Sequence, residues 1–172
     1  YEELVAFASP GRIDHALLVD GEHQRMFLVN GEEGLRIQEN YTISTGKPGF
    51  GEVSRSCKTP RGIHQIKTKH GENARKGSIF VAKQNTGKIA TIHKHAYDTP
   101  NDYITSRILT LTGSQTHNAN SFSRSIYIHG TPEEGLLGTP ASHGCIRMSN
   151  DDVIELFDLV DTGTYIHIKE HI

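Results

Sequence analysis

The chain has 172 residues, which is the length of one domain or of one domain with a small appendage. Hydrophobic residues make up 35% and charged residues 22%, with a formal net charge of -2, which is ordinary for a soluble globular protein. These values argue against nucleic acid and an anionic membrane surface as partners, because both favour clustered Lys and Arg. No apolar run approaches the ~20 residues of a membrane span, so we expect no membrane span in this chain.

Short apolar runs separated by turn signals predict a mainly β fold. The dipeptides Asp20-Gly21 and Asn30-Gly31 are typical of the turns that join neighbouring strands in hairpins. Residues 46–51 are rich in Gly and predict a loop, and residues 83–105 mix Gly, Asn, His and Pro and predict an irregular excursion. The predicted strands are residues 16–19, 25–29, 35–44, 62–68, 78–82, 107–112, 125–129 and 164–168.

One helix is predicted, directly after the densest motif of the chain. Ser149 or Asn150 can cap its start, and two aspartates follow in the first turn, where negative charge meets the positive end of the helix dipole. Gly163 is placed to end the helix. The apolar stripe that would pack on a sheet consists of Val153, Leu156, Phe157 and Val160.

A histidine stands at the end of the strand predicted before residue 130. Alternate side chains of a strand share a face, so Tyr127 and His129 are expected on the face opposite to two core isoleucines. Gly130 lets the chain leave the strand sharply. The pattern therefore presents the His129 imidazole to a pocket while the sheet holds its backbone.

A cysteine follows on a tight turn, Ser142-His143-Gly144-Cys145, after a loop long enough to return the chain to His129. Such a turn can aim successive backbone N–H groups at one point, where they would stabilise the oxyanion of a tetrahedral intermediate. A nearby helix N-terminus and an imidazole would both favour the thiolate. The residues predict a nucleophile, Cys145, with His129 as its base.

Two other interpretations of these residues stay open. In the first, Cys145 is a small buried apolar side chain and the histidines are satisfied surface groups. In the second, His129, His143 and Cys145 supply three zinc ligands, and His93-Lys94-His95 could add more. The sequence has no HExxH, no paired CxxC and no carboxylate base beside the triplet, which argues against zinc.

The motif closely resembles the signature of the L,D-transpeptidases, the YkuD-type catalytic domain. That signature is a His, a spacer of a dozen or more residues, then Ser or Thr, His, Gly, Cys, an apolar residue and usually Arg. Its residues here are His129-Gly130-Thr131 and Ser142-His143-Gly144-Cys145-Ile146-Arg147-Met148.

The likeness extends over nearly the whole chain. Residues 19–29 resemble the opening hairpin of the family, residues 41–47 one of its strands, and Thr59-Pro60-Arg61-Gly62 one of its turns. We therefore predict an N-terminal extension at residues 1–13 and an L,D-transpeptidase catalytic domain at residues 14–172.

The resemblance implies a β-rich fold whose sheets curl into a sandwich or partial barrel, with one helix after the cysteine. It implies residence in the periplasm or cell envelope, no cofactor and no metal. It also implies acyl transfer between peptidoglycan stem peptides. Cys145 attacks the carbonyl of the third stem residue, the terminal D-Ala leaves, and the amine of a neighbouring stem resolves the thioester into a 3–3 cross-link.

The resemblance also assigns roles at the matching positions. His129 is the general base and later the acid, and the backbone carbonyl of Gly130 is the third partner beside it. The backbone N–H groups of Gly144 and Cys145 form the oxyanion hole.

Four more residues are expected in substrate binding: Ser142, His143, Arg147 and Tyr127. Arg147 would bind a stem carboxylate or, alternatively, lock the turn by bonding backbone carbonyls. His143 would contact substrate or fix the turn by a hydrogen bond. Tyr127 would line the groove or pack in the core or at the rim.

Two features bear on the compartment. The chain opens with Tyr1 rather than Met, so we expect a mature or trimmed form, with room for a removed export signal. An oxidising compartment could pair Cys57, which matches no family motif position, with Cys145 and silence the enzyme. We expect Cys57 to be distant or buried, so that no bridge forms.

Other functions remain compatible with the same residues. Water in place of the acceptor amine would make the protein an L,D-carboxypeptidase that trims tetrapeptides to tripeptides. Attachment of a lipoprotein to the wall is another outcome, and a non-catalytic wall-binding module is an alternative of a different class. The oligomeric state is not indicated by the sequence. Members of the family are acylated by carbapenems, and we expect the same of Cys145.

Overall fold

The computed structural model describes residues 2–8, 15–31 and 36–172. Two short 3-10 helices accompany the regular elements, at Thr116–Asn118 and Glu134–Leu136. The helices and strands in chain order are α1 (Glu2–Ala8), β1 (His15–Asp20), β2 (Arg25–Asn30), β3 (Arg36–Ser44), β4 (Gly62–His70), β5 (Ser78–Val81), β6 (Gln84–Ile89), β7 (Ile104–Gly113), β8 (Tyr127–Gly130), β9 (Ile146–Met148), α2 (Asn150–Leu159) and β10 (Tyr165–Lys169).

The ten strands form one sheet in the order β4-β10-β1-β2-β3-β9-β8-β7-β5-β6. Because β4 also pairs with β7, the eight strands from β4 to β7 close into a ring, and the β5–β6 hairpin extends beyond it. Two of the pairings, β1 with β10 and β8 with β9, are parallel. The mainly β prediction, with a curled sheet and a helix late in the chain, is confirmed.

The core fills the inside of this ring, where apolar side chains of most strands meet the stripe of α2. The four predicted stripe residues of the helix all belong to the core cluster. The Ser149 hydroxyl accepts the Asp152 N–H at 3.1 Å, so the predicted cap is confirmed as Ser149. Neither α1 nor α2 is long and apolar enough to cross a membrane, and no other α-helix occurs among the described residues.

The end of α2 differs from its prediction. The helix stops at Leu159, and Val160 already has an extended backbone. Gly163 has φ +88° and lies in the turn that leads into β10, where its N–H donates to the Ile66 carbonyl at 2.8 Å. Its left-handed conformation therefore serves the turn and not the helix cap.

Among the α-helices and strands of the described residues, three were not predicted: α1, β6 and β9. β6 lies within the stretch predicted as irregular, and all its side chains are exposed, so it has no apolar alternation to reveal it. The β5–β6 turn uses Ala82 and Lys83, both at positive φ, without the Gly or Asn that usually signals such a turn. The strand predicted to end at residue 82 thus ends at Val81.

The N-terminal segment packs on the sheet through α1. Leu4 is fully buried in a small cluster with Ala16, Val29 and Ile63. The predicted boundary between residues 13 and 14 lies outside the described residues, as does residue 35, where the third strand was expected to begin.

The core should respond to truncation much more strongly than the exposed hairpin. Leu111 on β7 is fully buried, whereas Val81 on β5 is 61% exposed. We expect Leu111→Ala to lower the free energy of unfolding by about 2–5 kcal/mol, since it removes buried methyl groups and leaves a cavity. Val81→Ala should change it by less than about 0.5 kcal/mol. Urea denaturation of both variants tests this, and equal losses would contradict the burial assignment.

Candidate active site

The parallel pairing of β8 with β9 brings the motif residues together. Ile128 lies opposite Ile146 and His129 opposite Arg147. Cys145 directly precedes β9, and its Sγ receives the backbone N–H of Tyr127 at 3.4 Å. The sulfur therefore lies level with Tyr127, and His129 is the next residue on the same face of β8.

Burial opposes ionisation of the Cys145 thiol. The thiol donates to the Ser125 carbonyl at 3.3 Å, and burial raises the pKa of the Cys145 thiol to about 12, although the residue keeps partial contact with solvent. No hydrogen bond joins the sulfur to His129 among the residues that the structure describes. The expectation that the surroundings favour the thiolate is wrong, because desolvation of the charged form outweighs the neighbouring donors.

The helix N-terminus expected to support the thiolate has a different partner. β9 separates Cys145 from α2, and the first N–H of the helix, that of Asn150, donates to Glu134 Oε1 at 2.8 Å. The Asn150 side chain donates to the same oxygen at 2.7 Å. The positive end of the helix is therefore occupied by a carboxylate from the loop after β8.

The surroundings of His129 favour its neutral imidazole. Its side chain is buried, and its Nδ1 donates to the Gly130 carbonyl at 2.8 Å, which leaves Nε2 without a proton in the neutral ring. Burial lowers the pKa of His129. A Cβ at position 130 would lie 2.6 Å from the Thr105 carbonyl oxygen, so glycine is required where the chain leaves β8.

The two predicted oxyanion donors are not equivalent. The Gly144 N–H donates to the Ser142 hydroxyl at 3.1 Å, and that hydroxyl donates to the Cys145 carbonyl at 2.6 Å. The Cys145 N–H has no hydrogen-bond partner in the described part of the chain. Ser142 is almost fully buried, so it fixes the turn, and the Cys145 N–H is the available donor.

Arg147 lies in a buried charge network that the sequence did not indicate. It is 2% exposed, and its Nη1 bonds to Glu133 Oε2 at 2.7 Å. Its Nη2 forms an ion pair with Asp102 Oδ1 at 2.7 Å, outside the angular range of a hydrogen bond. Carboxylates of the protein thus replace both expected partners of Arg147, the stem carboxylate and the backbone carbonyls.

The stretch before β7 is fastened to the loop after β8 by several bonds. Thr99 donates to Glu133 Oε1 through its N–H at 2.7 Å and its hydroxyl at 2.6 Å. The His93 N–H donates to the Pro132 carbonyl at 2.7 Å, and Lys94 forms an ion pair with Glu134. Residues 93–102 therefore form an ordered wall beside the motif.

A cavity of about 490 Å³ opens between this wall and the motif turn. His143 projects into it with an exposed side chain, and its Nδ1 bonds to Asp102 Oδ2 at 2.7 Å. The residues that line the cavity are Lys47, Pro48, Cys57, Asp98, Thr99, Pro100, Ala141, Ser142 and His143.

Cys57 lies beside the motif turn and is not distant from it. It is partly exposed, lines the same cavity, and its backbone limits the space next to Gly144, where a Cβ would meet the Cys57 carbonyl carbon at 3.4 Å. Both cysteines are free thiols. The expectation that Cys57 is distant from the motif turn or buried is therefore wrong.

The described residues provide no ligand set for the zinc interpretation. In residues 2–8, 15–31 and 36–172, no group of three His, Cys, Asp or Glu side chains converges as metal ligands would. One ring nitrogen of His129 is bonded to Gly130, and one ring nitrogen of His143 is bonded to Asp102.

The model of the L,D-transpeptidase catalytic domain, YkuD, matches residues 14–168. The chain belongs to the L,D-transpeptidase family. YkuD from Bacillus subtilis (strain 168) is 49% identical to it over 50 residues, which are 28% of this chain and 30% of that protein. The matched stretches thus make up less than a third of this curated relative.

Solved structures show the same fold. An L,D-transpeptidase from Mycobacterium smegmatis has a TM-score of 0.58 at 20% identity, over 91% of this chain and 58% of that one. The LD transpeptidase LdtMt1 in complex with imipenem has a TM-score of 0.55 at 17% identity, over 91% of this chain and 59% of that one. This L,D-transpeptidase domain therefore spans less than two thirds of either structure.

The protonation state of the nucleophile can be measured by alkylation. Since the pKa of the Cys145 thiol is raised to about 12, its thiolate fraction should grow roughly tenfold per pH unit across the stable range. We expect the rate of iodoacetamide labelling at Cys145, followed by mass spectrometry in a Cys57→Ser background, to rise without a plateau from pH 7 to 9.5. A plateau below pH 8 would instead indicate a resting thiolate–imidazolium pair.

Proposed function

We propose that this chain is a peptidoglycan L,D-transpeptidase in which Cys145 forms a thioester with a stem peptide. The observation that carries the proposal is the β8–β9 pairing, which brings the Cys145 sulfur level with Tyr127. His129 is the next residue on that face of β8, and its Nε2 is free to accept a proton. Membership of the L,D-transpeptidase family supports the reaction class.

In the first half-reaction Cys145 attacks the carbonyl carbon of the third stem residue. The thiol proton, directed at Ser125 at rest, turns to His129 Nε2 as the S–C bond forms. Neutral reactants suit this step, because no charge has to be created before the substrate excludes water. The Cys145 N–H stabilises the oxyanion, the C–N bond breaks, and the D-Ala nitrogen takes the proton from His129.

In the second half-reaction the side-chain amine of a neighbouring stem attacks the thioester. The C–S bond breaks, an amide forms, and the sulfur recovers a proton. The product is a 3–3 cross-link. Because the substrate is cell-wall peptidoglycan, we further propose that the protein works in the periplasm or cell envelope.

Hydrolysis of the same thioester, attachment of a lipoprotein and wall binding without catalysis remain the alternatives. Incubation with a disaccharide-tetrapeptide, followed by mass spectrometry, separates them. We expect a dimer that lacks one D-Ala, and Cys145→Ala should lower its formation by more than about 10³-fold. Tripeptide alone would mean trimming, and a dimer formed by folded Cys145→Ala would rule out this mechanism.

Imipenem gives an independent test of the nucleophile. The neighbour LdtMt1 was solved in complex with it, which makes imipenem a suitable probe here. We expect one covalent imipenem on the peptide that contains residue 145. The adduct should disappear in Cys145→Ala and persist in the matched variant Cys57→Ala, which removes the other thiol beside the turn. An adduct on Cys57 would contradict the assignment.

A further inference from the structure

The guanidinium of Arg124 lies near the nucleophile. Arg124 directly precedes Ser125, whose carbonyl accepts the Cys145 thiol at 3.3 Å. The Nη2 of Arg124 donates to the Lys58 carbonyl at 2.6 Å, and its Nη1 donates to the Gly51 carbonyl at 3.1 Å. These two bonds fasten the loop after β3 to the segment that leads into β8.

The Lys58 carbonyl holds this guanidinium close to the turn that carries the sulfur. A Cβ built on Gly144 would lie 3.1 Å from the Lys58 oxygen, to which Arg124 Nη2 is bonded at 2.6 Å. The Nη2 atom therefore lies within ~7 Å of the Gly144 Cα, one residue before Cys145. Burial raises the pKa of the Cys145 thiol, and the charge of Arg124 is one of the influences that oppose this rise. The positive charge thus acts at the sulfur.

No carboxylate of the described residues forms an ion pair with Arg124. Its two bonds go to backbone carbonyls, and Glu52, the acidic residue of the same loop, is instead bonded to Arg61 at 3.1 Å. A guanidinium has five N–H donors, so most of them remain for a ligand, and the side chain is partly exposed. The guanidinium of Arg147, by contrast, is already paired with two carboxylates of the protein.

The donor stem of the proposed reaction has a carboxylate at the matching distance. The terminal D-Ala supplies the leaving nitrogen and ends in a free carboxylate. Only that nitrogen and one Cα separate the carboxylate carbon from the carbonyl carbon that the sulfur attacks, a span of ~3–4 Å. A cation near the sulfur therefore meets this carboxylate, and a guanidinium can bind it through two parallel N–H bonds.

Resting on the proposed transpeptidation, we infer that Arg124 is a substrate-binding residue that holds the terminal carboxylate of the donor stem. The contact selects a tetrapeptide that ends at D-Ala, because a longer stem would place its carboxylate one residue further from the sulfur. The guanidinium that binds the stem carboxylate is then that of Arg124, which lies outside the motif, and not that of Arg147.

Charged and neutral thiol reagents test this site without any stem peptide. In 2-carboxyethyl methanethiosulfonate the carboxylate lies as many bonds from the attacked sulfur as the D-Ala carboxylate lies from the attacked carbon. The neutral counterpart is 2-hydroxyethyl methanethiosulfonate, and the ratio of the two labelling rates cancels any change in the thiolate fraction. We expect this ratio at Cys145, in a Cys57→Ser background, to fall at least about fivefold in Arg124→Gln and less in Arg124→Lys.

The matched control is Arg25→Gln. The Arg25 guanidinium likewise bonds to uncharged oxygens, Asn40 Oδ1 at 2.9 Å and Thr42 Oγ1 at 2.6 Å. This change removes the same charge from β2, which pairs with neither β8 nor β9, so the ratio should stay within about twofold of wild type. An equal fall in both variants, or an unchanged ratio in Arg124→Gln, would overturn the inference.

Stem peptides test the same contact in turnover, through release of D-Ala from a tetrapeptide and of D-alaninamide from its terminal amide. We expect wild type to favour the free acid at least about tenfold in kcat/KM. Arg124→Gln should lower the value for the acid and leave that for the amide within about threefold. Equal losses with both substrates would indicate a structural role and overturn the inference. If wild type releases neither product while the reagent ratio falls as expected, the proposed function fails and the carboxylate site of Arg124 stands.

Discussion

The buried guanidinium of Arg147 is the constraint around which the site is organised. An unpaired charge in this position would be strongly unfavourable, so the buried Arg147 on β9 must be paired with carboxylates. Glu133 arrives with the loop after β8, and Asp102 with the wall before β7. Their convergence fixes three distant segments around Cys145, so the site assembles as a unit.

Local patterns were sufficient for most of the fold. Strands β1 to β4 could be predicted from apolar residues that are buried in the fold. The helix α2 could be predicted from its cap at Ser149 and its apolar stripe. The motif residues could also be predicted from local sequence, since the residues next to them indicate that His129 ends a strand and that Cys145 lies on a Gly-containing turn. β6 was not predicted because its six residues are all exposed and because the turn before it uses Ala82 and Lys83.

The partners of the motif residues could not be predicted in this way. Asp102 is 41 residues from His143 in sequence and lies in a stretch without periodicity. Cys57 packs its backbone against Gly144, a contact between segments that are far apart in the sequence. The protonation state of Cys145 likewise depends on how densely protein surrounds the sulfur, since desolvation, the largest cause of its raised pKa, is a property of the folded molecule.

Burial disfavours the charged forms of both Cys145 and His129, which changes what the fold must supply. Proton transfer then belongs to the chemical steps, and each step needs a base in a suitable environment. His129, buried on a strand, suits a proton kept away from water, while His143 lies exposed on the turn before Cys145. Asp102 connects the two, because its charge favours protonation of His129 and its bond orients His143. A single carboxylate thereby acts on both imidazoles that flank the nucleophile.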